Sequence, residues 1–181
     1  MLIDAVTPLL LEHGRAVTTR QIAECAGIAE GTIFRAFGSK DELISAAMAR
    51  QLDPEPFQHQ LRGVDPALPL EEKLRAIVAL MRGRFTQVFA LMTALGTMGP
   101  PPTQDARREF AEIMGGVLAP DLARLNVEPA RAAQIIRMVA LAASVPHVRS
   151  GPAFDDDEIT TLILYGISGT PATSARPVPL T

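Results

Sequence analysis

Apolar positions recur every three or four residues along most of the chain. In the first segment Leu2, Ala5, Val6, Leu9 and Leu10 share one helical face. Pro8 is expected to kink that helix by removing a backbone donor, and Gly14 supplies its end. Thr18 or Thr19 caps a second helix, which runs to Ala26, where Gly27 stops it. A third helix covers about 30–37. Ser39, with Glu42 three residues on, forms a capping box for a fourth that continues to about Leu52.

Beyond the fourth helix the pattern breaks. Prolines at 54, 56, 66 and 69 predict a loop over 53–69 that separates a head from a larger body. A long helix begins near Leu70, with Leu70, Leu74, Ile77, Met81, Phe85, Val88, Met92 and Leu95 spaced by three and four. It ends at "GTMGPPPT". A sixth helix covers about 104–117, with Phe110, Ile113, Met114 and Val117 on one face. "APDLARL" predicts a short seventh. "EPARAAQIIRMVALAASVPHV" predicts an eighth, with Pro129 in its first turn and Pro146 at its end or at a kink. "DDDEITTLILYGIS" predicts a ninth, its aspartates at the positive helix N-terminus. No strand pattern and no repeat stands out, so the fold class is all-α with about nine helices.

Composition narrows the function classes. The 181 residues are 48% apolar and 20% charged, enough for a sizeable core. A net charge of −3 excludes a broadly basic surface, so any nucleic-acid contact must come from local placement. Cys25 is the one cysteine, which rules out an internal disulfide, and it reads as a small core residue. No apolar run reaches the roughly 18–20 residues of a membrane span. The first residues lack a basic leader and a cleavage site, so a soluble, cytoplasmic protein is expected. His13, His59 and His147 do not fall at metal-ligand spacing. Without a phosphate loop or a serine elbow, no enzyme, metal or cofactor is expected.

The informative stretch lies between Thr19 and Gly38. Ile22, Ala23 and Ala26 form the inward face of one short helix. Ile28 plugs the turn, and Ile33 with Ala36 or Phe37 faces inward from the next. Small Ala23 permits close approach, and Gly27 supplies the left-handed residue of a tight turn. This is helix-turn-helix spacing, in which the second helix enters the DNA major groove; a plain helical hairpin shares the pattern.

Residues Thr18–Leu43, "TTRQIAECAGIAEGTIFRAFGSKDEL", resemble the DNA-binding domain of TetR-family transcriptional regulators. "T-x-x-I-A-x-x-A-G", "G-T-I-F-x-x-F" and "S-K-D-E-L" carry the resemblance, over about 25 residues. Beyond Asp53 it extends only to architecture. It implies a helix-turn-helix domain over 1–50 and a ligand-binding and dimerisation domain over 51–169; the composition of 170–181 predicts a disordered tail. The resemblance also implies that Thr32 and Arg35 reach base edges, arginine pairing with guanine. Gly31 would clear the DNA backbone, and Phe34 stands where many relatives carry a phosphate-contacting tyrosine. Thr19, Arg20 and Lys40, at helix N-termini, suit phosphates. Glu30 favours the positive end of its helix first, and a cytosine amino group second. One departure is charge: residues 1–50 hold five basic and six acidic side chains, a net −1. Relatives usually carry a basic arm ahead of helix one. This chain starts inside that helix, and a truncated or misassigned start is expected.

In the body, Met81, Phe85, Phe89 and Met92 on the long helix join Phe110 and Met114 on the sixth and Ile135, Met138 and Val139 on the eighth. Residue by residue they read as core. The resemblance implies a cavity for a small apolar effector among them, with Arg82, Thr86, Gln87 and Thr93 as polar contacts. His147 reads as a helix-end residue. The last two helices, about 128–148 and 155–168, are apolar on more than one face and predict a homodimer. The implied function is a repressor released from its operator in double-stranded DNA by that effector. A helical carrier that has lost DNA binding is the alternative.

Overall fold

The computed structural model describes residues 2–99, 103–145 and 151–168. They form an all-α fold without strands among the described residues. The helices are α1 (Leu2–His13), α2 (Thr19–Ala26), α3 (Glu30–Phe37), α4 (Lys40–Leu52), α5 (Glu55–Arg62), α6 (Leu70–Leu95), α7 (Gln104–Leu118), α8 (Pro129–Ser144) and α9 (Asp156–Ser168). Short 3-10 helices follow α1 at Gly14–Ala16 and α7 at Ala119–Arg124. The tail expected over 170–181, and the readings placed on Pro146 and His147, lie outside the described residues.

The chain divides into two compact units, Met1–Pro56 with Arg84–Pro102, and Phe57–Gly83 with Thr103–Thr181. The first unit therefore takes in the second half of α6 as well as the N-terminal helices. Its core joins Val6 and Leu10 of α1, Val17 before α2, Ile22 and Ala23 of α2, Ile33 of α3, Leu43, Ile44 and Ala47 of α4, and Leu91 and Leu95 of α6. Burial of that apolar surface, at about 25 cal/mol per Å², is what holds eight-residue helices that are too short to persist alone. Pro8 does not break α1. It is exposed in the middle of a continuous helix.

Two expected segments differ. The 53–69 stretch is not all loop, because α5 occupies Glu55–Arg62. Asp53 Oδ1 accepts from the Glu55 N–H at 3.0 Å, and Pro56 falls in the first turn, where its missing donor costs nothing. Gln58 and Leu61 turn inward. Conversely, "APDLARL" forms a 3-10 helix, with Pro120 at its start.

In the second unit the buried side chains include Leu61, Leu70, Leu74, Ile77, Met81, Met114, Leu118 and Ile136. Lys73 is fully buried among them, and its ammonium donates to Asp121 Oδ2 at 2.6 Å and to the Pro66 carbonyl at 2.7 Å. Arg75 pairs with Asp157, and Arg82 pairs with Asp156 and donates to the Phe154 carbonyl, so α9 is bound to α6 through charge.

Candidate nucleic-acid interface

Local hydrogen bonds shape the turn between α2 and α3. Thr18 Oγ1 accepts from the Gln21 N–H at 3.2 Å, and Gln21 Oε1 accepts from the Thr18 N–H at 2.8 Å. This reciprocal cap starts α2 cleanly. At its other end Gly27 has φ 65°, the left-handed region. Its N–H donates to the Glu24 carbonyl at 3.3 Å, and the Ile28 N–H reaches back to Ala23 at 3.0 Å. This Schellman-type end satisfies the last carbonyls of α2 and redirects the chain within three residues. Ile28 is half-buried against the core, and α3 restarts at Glu30 with Ile33 fully buried.

The outward face of α3 carries Gly31, Phe34 and Arg35, all exposed, with Thr32 half-exposed. Phe34 is 49% exposed, an uncommon position for a large apolar ring. A Cβ built on Gly31 would meet nothing within 4 Å. No neighbour in the protein requires glycine there, and glycine inside a helix costs about 1 kcal/mol relative to alanine. Arg35 makes no hydrogen bond or ion pair among the described residues.

The other predicted contacts already hold partners. Thr19 Oγ1 donates to Glu30 Oε1. Arg20 Nε donates to Glu24 Oε1 at 2.9 Å. The hydrogen bond and charge of Glu24, with a lesser contribution from Glu30, hold the Arg20 guanidinium above its usual range. Lys40 donates to the carbonyls of Arg15 and Val17 at 3.0 and 3.1 Å. It thereby ties the start of α4 to the segment before α2, a structural task the motif alone does not reveal.

Arg15 is a residue that motif reading missed. It donates to the Leu95 carbonyl at 3.2 Å and to Asp41 Oδ1 at 3.3 Å, linking the end of α1 to the end of α6 and the start of α4. Its partners lie 80 and 26 residues away, so no local pattern could announce it. Half-buried Arg84 likewise donates to the carbonyls of Gln51 and Asp53 at the end of α4, and burial lowers its pKa. Cys25 is exposed rather than core; its thiol lies 3.6 Å from the Ala5 carbonyl oxygen.

The predicted effector residues fall in both units. Met81, Phe110 and Met114 are buried in the second unit. Phe85, Phe89 and Met92 are half-buried in the part of α6 that belongs to the first. Met138 is 60% exposed and lines no interior. Arg82 is engaged with α9, and Thr86, Gln87 and Thr93 are exposed. Two open surface depressions of about 690 and 710 Å³ lie at 65–69 with Pro120 and Asp121, and between Glu72, Arg75 and Asp155–Asp157. Neither includes any of the seven residues. Among the described residues no group of three or more His, Cys, Asp or Glu side chains could hold a metal, and no helix is long and apolar enough to cross a membrane.

Comparison with known proteins bears on both head and fold. The sequence model of bacterial regulatory proteins of the tetR family matches residues 2–47. The uncharacterized HTH-type transcriptional regulator YvkB of Bacillus subtilis is 44% identical over 50 residues, which are 27% of this chain and 26% of that protein. The match thus spans about a quarter of that relative's length. Three solved structures share the fold over 92–93% of the chain. A TetR transcriptional regulator from Streptomyces coelicolor aligns with a TM-score of 0.56 at 21% identity, over 92% of this chain and 96% of that one. NalD of Pseudomonas aeruginosa, described as the secondary repressor of the MexAB-OprM multidrug efflux pump, gives 0.54 at 21%, over 92% and 95%. FadR of Bacillus subtilis, solved in complex with stearoyl-CoA, gives 0.56 at 17%, over 93% and 97%. At such identities the likeness is one of fold. Residues 2–47 thus match the sequence model of bacterial regulatory proteins of the tetR family, and over most of its length the chain shares the fold of solved TetR-type regulators.

Proposed function

We propose that this protein is a non-enzymatic, homodimeric DNA-binding repressor released from its operator by a small apolar effector. The observation that carries the reading is the Gly27 turn with α3 beyond it, its bare backbone at Gly31, its half-exposed Thr32 and its exposed Phe34 and Arg35. A helix so furnished enters a major groove; Arg35 would read guanine, and Phe34 would meet a thymine methyl. Thr19, Arg20 and Lys40 would add phosphate contacts. The dimer would form through α8 and α9, where Met138, Leu162 and Tyr165 are 60, 59 and 45% exposed. A two-fold axis would then set two recognition helices about 34–36 Å apart, one turn of DNA.

The effector is proposed to be apolar because Met81, Phe110 and Met114 supply apolar side chains, and because FadR, of the same fold, was solved with stearoyl-CoA. A coupling of about 1–3 kcal/mol between effector and operator sites would weaken DNA affinity roughly 5–150-fold. The experiment is a gel shift with duplex from the protein's own promoter region at low salt. A shifted band that an apolar ligand abolishes is expected, and absence of any shift by the dimer ends the regulator reading. The net −1 of residues 1–50 favours a second reading, a helical carrier without DNA affinity. Ligand binding with no shift would select it.

A further inference from the structure

The first turns of α2 and α3 meet through a carboxylate. Thr19 Oγ1 donates to Glu30 Oε1, and Glu30 also acts through space on Arg20, which Glu24 already pairs at 2.9 Å. These are the two α2 side chains that the proposed function assigns to DNA phosphates. A phosphate oxygen and a carboxylate oxygen compete for the same donors, and a carboxylate left beside a duplex phosphate repels it. Glu30 is exposed, and it stands next to Gly31 and Thr32 on the helix that would read bases.

We propose that Glu30 is a specificity-determining residue, which occupies the Thr19 hydroxyl and places its charge near Arg20 in the free head, and so suppresses attachment to DNA of arbitrary sequence. This rests on the DNA-binding reading above. On a random duplex, phosphate contacts supply most of the affinity, and those of Thr19 and Arg20 must be made against the carboxylate. On the operator, base contacts from Thr32 and Arg35 add free energy that displaces it. The device sits on the reading helix itself, so displacing the carboxylate and docking against bases are one movement of one element. Glu24 supports it by engaging Arg20.

The test is fluorescence anisotropy of the full chain with its own promoter-region duplex and with a scrambled duplex, across a salt series. Glu30→Gln keeps the side-chain size and removes the charge; Glu30→Ala removes the competitor altogether. Both variants are expected to bind scrambled duplex about 3–10-fold more tightly. The slope of log K against log salt should steepen, because a charge opposing the Arg20–phosphate contact is gone. Affinity for the promoter duplex should rise less, so the ratio between the two falls. Wild-type far-UV circular dichroism and a cooperative melt establish that both variants are folded. Unchanged scrambled-duplex affinity and slope would overturn the proposal. So would a loss confined to the promoter duplex, which would make Glu30 a base contact. If the wild-type dimer binds neither duplex, the regulator reading fails and this inference with it. Wild-type binding with an unmoved Glu30→Gln defeats the inference alone.

Discussion

Gly14 and Gly27 both hold left-handed backbone, at φ 56° and 65°, yet their surroundings differ. A Cβ at Gly14 would lie 2.3 Å from the Ala94 carbonyl oxygen, whereas one at Gly27 would meet nothing within 4 Å. Left-handed backbone costs a residue with a Cβ roughly 1–2 kcal/mol. Gly27→Ala should lose about that much. Gly14→Ala should lose about 1–2 kcal/mol more, because backbone rather than a flexible side chain must yield. Urea midpoints of the two variants check this, and equal losses would mean that the Ala94 contact relaxes freely. The same distinction separates Arg35 from Lys40. Arg35→Ala should leave the melt unchanged and weaken operator binding by about 1–3 kcal/mol. Lys40→Ala frees the carbonyls of Arg15 and Val17, so it should also destabilise the fold by about 1–2 kcal/mol. A Lys40→Ala variant of wild-type stability would deny it that structural task.

At the scale of elements, α2, α3 and α4 were legible because each is written locally. Thr18 with Gln21, Gly27, and Ser39 with Glu42 are starts and stops that act within three or four residues. Helix α5 was hidden because prolines at 54 and 56 read as breakers, though proline serves equally to begin a helix. The ion pair of Lys73 and Asp121 was illegible, since the partners are 48 residues apart and a lysine on an α6 face reads as solvated. Removing one partner of a buried pair typically costs about 3–5 kcal/mol. Lys73→Met should fall at the low end, because Arg124 also lies 3.3 Å from Asp121 and can hold its charge. The double variant Lys73→Met with Asp121→Leu should recover most of the loss, as thermal melts of the three proteins would report. A double variant as unstable as the single would show that the pair contributes more than its charges.

For the whole molecule, the periodicity of α8 and α9 showed that both are apolar on more than one face, but not which residues stay uncovered. Met138 illustrates the difficulty. Its spacing suited a cavity wall, and it is instead among the most exposed apolar residues of those described. Leu162 and Tyr165 on α9 share that exposure. If the proposed dimer forms through these helices, Leu162→Arg converts it to monomer in light scattering while far-UV circular dichroism is retained. A dimer that survives the arginine places its interface elsewhere.

The sharing of α6 has a practical consequence for anyone who would transplant the DNA-reading part of this protein. Leu91 and Leu95 belong to the same core as Ile22 and Ile33, and Arg15 and Arg84 bond backbone carbonyls across that sequence gap. A graft cut after residue 56 would carry the recognition helix without two of the side chains that bury it. Such a piece would expose apolar core to water and lose its register. The exchangeable unit is discontinuous: a donor of new specificity must supply two stretches of chain, and a chimaera with another body must be spliced inside a helix rather than in a loop.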